Sequence, residues 1–158
     1  MDDTYTKLKH RAIDLLSRRE HGESELFDKL LKKAPKEDGV SEVVQRVVSE
    51  MVALEYVSDF RFARSSIRSK ALQGNGPLKI RQALKLKRVP EEVISSAFDE
   101  LEIDWFENVV ALRERKFGLE AVQDIKLKAK QQRFLQYRGY SFDHIQFAMD
   151  ARDEFLEE

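Results

Sequence analysis

The chain has 158 residues, a formal net charge of −1, and 36 % charged side chains against 42 % hydrophobic ones. That apolar content supports a folded core, while a charge content above the roughly 25 % usual for soluble domains predicts much surface for the core. The absence of cysteine excludes a disulfide framework, a thiolate nucleophile and a Cys-ligated zinc. No apolar run approaches the ~20 residues of a membrane span or forms the core of a signal peptide, so a soluble cytoplasmic protein is expected.

Helical spacing recurs along the chain and alternating runs of β-branched residues do not. Leu8, Ala12, Leu15 and Leu16 form a first apolar face. Ser24 is expected to cap a second helix carrying Leu26, Leu30 and Leu31, and Ser41 a third carrying Val44, Val47, Val48 and Met51. Ser58 or Asp59 opens a fourth with Phe60, Ala63, Ile67 and Ala71 on one side. Pro77 and Pro90 stand where a first helical turn tolerates proline, ahead of Ile80, Ala83, Leu84 and Lys87 and of Val93, Ile94, Ala97, Phe98 and Leu101. Asp104 followed by Glu107 predicts a capped helix from Trp105 to Phe117, stopped by Gly118. Two more helices are predicted near Ala121 to Tyr137 and Ser141 to Leu156, broken at Arg138-Gly139-Tyr140. The pattern is that of an all-α chain of about nine short helices, none able to stand alone in water.

The chain also resembles itself. Lys79 to Phe98 aligns without gaps on Lys130 to Met149, pairing Leu84 with Leu135, Val89 with Tyr140, Ile94 with Ile145 and Ala97 with Ala148. Ser24 to Val48 fits the same register with a longer turn, placing Leu26 on Ile80, Leu30 on Leu84 and Val48 on Ala97. Three tandem three-helix repeats, helix-turn-helix-like in shape, are expected over residues 1–57, 58–103 and 104–158 in an elongated, curved arrangement.

Catalytic constellations are missing. Gly74 to Pro77 lacks the spacing of a dinucleotide or phosphate loop, and His10, His21 and His144 are scattered, with no partner at metal-ligand spacing. All three histidines are expected on the surface. Glu91 and Glu92 follow Pro90 at a helix start, where the helix dipole accounts for them. Neither enzymatic activity nor a cofactor or metal is expected.

Charge is distributed less evenly than the total suggests. Arg61 to Arg88 holds Arg61, Arg64, Arg68, Lys70, Lys79, Arg81, Lys85, Lys87 and Arg88 and no Asp or Glu. Arg61, Arg64 and Arg68 recur at i, i+3 and i+7 on one helix, and Arg81, Lys85 and Arg88 at i, i+4 and i+7 on the next. A solvated face explains one such stripe. Two successive stripes without acids point to a surface for phosphates or for an acidic protein, weakened by salt. Lys126, Lys128, Lys130 and Arg133 echo the pattern and would extend the contact. Tyr137 and Tyr140 lie near these cations as candidates for base stacking, packing being the stronger expectation for Tyr140, whereas Phe60, Phe62, Phe98 and Phe134 fall on or beside apolar faces and are expected to pack.

Three segments carry a family resemblance: LLSRREHGESELFDKLLKK, then YVSDFRFARSSIRSKALQGNGPLKIRQALKLKRV, then QRFLQYRGYSFDHI. Their order, spacing and combination of Tyr-x-x-Asp-x-x-Phe-Ala-Arg, Gly-x-Gly-Pro-x-x-Ile-Arg and Arg-Gly-Tyr-Ser resemble RecX, the bacterial regulator of the RecA recombinase, from about Leu8 to Ala151. Glu55 and Arg88 stand at turn positions where that family commonly has Gly. The resemblance implies an all-helical, non-enzymatic protein of three tandem three-helix repeats, and a monomer is expected. It would bind the RecA filament on single-stranded DNA, lying in its groove, and inhibit ATP hydrolysis, strand exchange and co-protease activity. Some relatives also bind DNA directly, so double-stranded DNA is a further expected partner. The basic residues are singled out by charge alone. A helix-turn-helix transcription regulator and a helical adaptor without nucleic acid are the alternatives.

Overall fold

The computed structural model describes residues 2–151. Among them are nine α-helices and no strand: α1 (Asp2–Arg18), α2 (Glu23–Lys33), α3 (Val40–Ala53), α4 (Asp59–Leu72), α5 (Pro77–Leu86), α6 (Glu91–Leu101), α7 (Trp105–Phe117), α8 (Ile125–Tyr137) and α9 (Phe142–Asp150). None of these helices is long and apolar enough to cross a membrane. The expected extension of the last helix to Leu156 lies outside the described residues, α9 ending at Asp150.

The described chain forms two compact units, one of residues 2–65 and 84–100, the other of 66–83 and 101–151. In the first, α1, α2 and α3 enclose Leu8, Ala12, Leu15, Leu26, Leu30, Val44, Val47 and Met51, each buried as its helical spacing predicts. Leu31, expected inward, is 37 % exposed because it lies one residue beyond the Leu26–Leu30 stripe. In the second unit, α7, α8 and α9 bury Val109, Val110, Leu112, Leu135, Tyr140, Ile145 and Ala148.

The internal alignment holds at the level of packing. Leu84 and Leu135, Val89 and Tyr140, Ile94 and Ile145, and Ala97 and Ala148 are all buried, as are Leu26, Leu30 and Val48 at the corresponding positions. Even the turn repeats: Val89 N–H donates to the Leu84 carbonyl at 3.2 Å and Tyr140 N–H to the Leu135 carbonyl at 3.2 Å. This helix ending needs a left-handed residue, and the aligned residues Arg88 and Gly139 supply it with φ of 59° and 98°.

Helix starts differ from expectation in three places. α2 begins at Glu23, so Ser24 falls inside its first turn, and its cap comes from a distant residue, the Asp59 carboxylate accepting from Glu23 N–H at 2.9 Å. α3 begins at Val40 after Gly39 in the left-handed region, which leaves Ser41 within the helix. α8 begins at Ile125, four residues after Ala121, with Asp124 accepting from the Lys126 and Leu127 N–H groups. The residues before it are held as a loop by buried Leu119 and by Arg113, which donates to the Glu120 carbonyl.

Candidate functional site

In the first unit the basic segment meets acids that lie outside it, most of them far away in sequence. Arg61 Nε reaches the Glu20 carboxylate at 3.2 Å, and its Nη2 donates to the Glu55 carbonyl at 2.8 Å. Arg64 pairs with Glu100 at 2.8 Å, Lys85 with Glu91 at 3.3 Å, Lys87 with Glu25 at 3.1 Å and Arg88 with Asp28 at 2.8 Å. The partners of these cations thus lie outside the segment, all but Glu91 brought in by tertiary structure.

Glu25 is the most committed of these acids. Its side chain is 5 % exposed and takes both Arg19 Nη atoms, at 2.8 and 3.1 Å, as well as Lys87. Burial alone would raise its pKa, but the hydrogen bonds and charges of Arg19 and Lys87 outweigh that and bring it down to about 2. His21, expected on the surface, is buried beside this cluster. Its Nδ1 lies 3.1 Å from the Arg19 carbonyl, an acceptor only, so that nitrogen carries the proton, and Nε2 accepts from Lys29 at 3.0 Å. Burial, joined by the Arg19 and Lys29 charges, holds its pKa below the usual histidine value.

The second unit presents its cations differently. Among the described residues, Arg68, Lys70, Lys126, Lys128, Lys130 and Arg133 have no carboxylate in ion-pair contact. Arg81, half-buried, falls in the same unit. Lys79 holds its ammonium 4.4 Å from the centre of the Tyr137 ring. Tyr137 is 74 % exposed and lines a cleft of about 750 Å³ with Lys79, Gln82, Gln132, Gln136 and Phe142. Tyr140 is 1 % exposed: its ring packs edge-on against Trp105 and His144 and offers no face for stacking, in keeping with the packing expected there. Phe62 is buried and Phe60, Phe98 and Phe134 half-buried.

Two glycine turns join the parts of this unit. Gly76 N–H donates to the Arg138 carbonyl at 2.6 Å and Leu78 N–H to the Gly139 carbonyl at 3.0 Å, while the Arg138 side chain returns a bond to the Gln73 carbonyl at 2.8 Å. A Cβ on Gly76 would lie 2.5 Å from the Gly139 oxygen, so only glycine permits the approach. These bonds set the start of α5 against the α8–α9 turn and thereby shape the cleft.

Sequence reasoning missed Arg113, Arg115, His21 and Glu25. Arg113 is fully buried and binds Gln131, the Ala148 and Ala151 carbonyls and the Glu120 carbonyl. No local pattern marks it, since Arg113, Arg115 and Lys116 read together as a basic helix end. Among the described residues no group of three or more His, Cys, Asp or Glu could hold a metal ion.

Family comparison gives three successive matches: the first RecX three-helix domain over residues 9–47, the second over 58–97 and the third over 102–149. The Regulatory protein RecX of Vibrio campbellii is 43 % identical over 92 % of both chains, and that of Acinetobacter baylyi 43 % identical over 94 % of this chain and 90 % of its own. The chain belongs to the RecX family. The crystal structure of RecX from Lactobacillus salivarius shares its fold, with a TM-score of 0.75 at 20 % identity over 94 % of this chain and 96 % of that one. In this RecX-family chain the signature residues turn out to be joints. Asp59 caps α2, Gly76 and Gly139 dock two turns, and Ser141 caps α9 by accepting from His144 N–H. They build the frame on which the cations stand.

Proposed function

We propose that this protein binds the RecA filament on single-stranded DNA and restrains its ATPase, strand-exchange and co-protease activities, without catalysis of its own. Family membership across all three helical domains supports the regulatory role. The observation that carries the electrostatic part is the set of cations Arg68, Lys70, Lys126, Lys128, Lys130 and Arg133, which among the described residues have no carboxylate in ion-pair contact. Such groups have no internal ion pair to give up, so a phosphate or a carboxylate that releases their counterions gains most from them. Arg61, Arg64, Lys85, Lys87 and Arg88 contribute only as far as an incoming anion competes with Glu20, Glu100, Glu91, Glu25 and Asp28.

The test is the single-stranded-DNA-dependent ATPase of RecA, titrated with this protein at two salt concentrations. Inhibition well below one molecule per recombinase subunit, weaker at higher salt, is expected. An unaffected ATPase alongside tight duplex binding would overturn the proposal.

A further inference from the structure

A second pocket in the same unit carries an arrangement that the basic stripes do not explain. It measures about 280 Å³ and is lined by Arg68, Arg115, Asn108, Gly74 and Tyr140, with no acidic residue among its walls. Over Gly74 two guanidinium groups converge: the position a Gly74 Cβ would take is 2.8 Å from Arg138 Nη2 and 3.5 Å from Arg115 Nη2. Arg138 is held there by its bond to the Gln73 carbonyl, whereas Arg68 and Arg115 are exposed, with no carboxylate in ion-pair contact among the described residues. Like charges gathered without a counter-charge repel, and the arrangement is relieved by an anion.

The lining residue Tyr140 gives an independent sign. The Tyr140 hydroxyl is buried and has no hydrogen-bond partner. A hydroxyl buried without a partner has lost its hydration for nothing in return, which is exceptional in a well-packed core. Because Tyr140 lines the pocket, an anion oxygen that displaced its immediate cover would accept from this hydroxyl.

We infer that this pocket holds a backbone phosphate of a nucleic-acid strand, clasped by Arg68 and Arg115 with the Tyr140 hydroxyl as a neutral donor. The remaining walls, Ala71, Leu72, Ile103 and Ala111, are apolar and suit the attached sugar, which favours a phosphodiester over free phosphate. Arginine matches the oxygens of such a group through its planar fork of donors. The inference rests on the reading of the protein as a partner of single-stranded DNA, yet it concerns DNA alone and is tested without recombinase.

The experiment measures binding of a labelled oligothymidylate by fluorescence anisotropy across a salt series, for the wild type and for Arg68→Ala, Arg115→Ala and Tyr140→Phe. Each arginine variant should weaken binding about tenfold and lower the slope of log K against log salt by about one. Tyr140→Phe should weaken it a few-fold at unchanged slope, without lowering the melting temperature, because it deletes an unpartnered hydroxyl from the core. Unchanged DNA affinity in all three variants overturns the inference. So does a small-oxyanion result, in which inorganic phosphate raises the melting temperature of the wild type but not of Arg115→Ala while DNA binding stays intact. A third contrary outcome is Arg115→Ala that binds DNA normally but no longer restrains the RecA ATPase, which would give the pocket to a protein carboxylate. If instead the variants lose DNA binding while the wild type leaves the ATPase untouched, the pocket stands and the proposed function falls.

Discussion

Glu55 and Arg88 occupy left-handed backbone, with φ of 62° and 59°, where a side chain is strained. Glu55→Gly should therefore raise stability by about 0.5–1 kcal/mol, and it keeps the Arg61 bond, which goes to the Glu55 carbonyl. Thermal melting should show a rise of about 1–3 °C. Arg88→Gly relieves the same strain but loses the exposed Asp28 pair, worth at most about 1 kcal/mol, so its net effect should be near zero. Gly139→Ala goes the other way: its φ is 98° and its new Cβ would meet the Lys79 main-chain nitrogen at 2.7 Å. A loss of about 3 kcal/mol or more is expected in urea unfolding.

Glu25 makes a prediction in pH. Its folded pKa of about 2 lies below the model-peptide value of 4.5. The stabilisation is thus fully present above pH 4.5 and lost as pH falls toward 2. Glu25→Gln should cost about 3 kcal/mol at pH 7, and the gap between variant and wild type should close as the solution is acidified. Urea unfolding at a series of pH values measures that closure; a constant gap would show that the carboxylate's charge is not what holds Arg19 and Lys87.

At the scale of elements, the apolar faces were legible because they depend on spacing within one helix: Leu26, Leu30, Val44, Val47, Ile80 and Leu84 are buried as predicted. Caps were legible where the cap is local, as with Asp104 accepting from Glu107 N–H. They were hidden where it is distant, as with Asp59 serving α2 from 36 residues away. The ion pairing around the candidate site was hidden in the same way. An acid-free segment reads as unpaired, yet Glu20, Glu25, Asp28 and Glu100 close on it from elsewhere, and nothing in the local pattern announces them. Arg113 shows how much such an unannounced residue carries. It ties α7 to α8, to the α7–α8 loop and to the end of α9, so Arg113→Ala leaves several buried acceptors unpaired. A cost of about 3–5 kcal/mol is expected, read as early loss of the Trp105 fluorescence signal on heating.

For the whole molecule, the net charge of −1 conceals two populations of cations, one spent on internal acids and one open to solvent. The two should separate by experiment. Arg61→Ala and Arg64→Ala should lower the melting temperature slightly and leave the salt dependence of DNA binding nearly unchanged. Lys126→Glu with Lys130→Glu should leave melting unchanged and flatten that dependence by about two units of slope. Equal effects of both pairs on binding would restore the stripe on α4 to the principal role that its spacing suggested.

The path of the chain through its two units has one more consequence. Residues 66–83 belong to one unit while the stretches on either side of them, 2–65 and 84–100, belong to the other. The repeating motif and the compact unit are therefore different things, and a cut at the boundary between motifs divides a unit. A fragment of residues 101–158 would lack the strip that saturates the Arg138 and Gly139 carbonyls. Such a fragment should be poorly helical alone and should recover helicity when a peptide of residues 66–83 is added back, a complementation visible by circular dichroism.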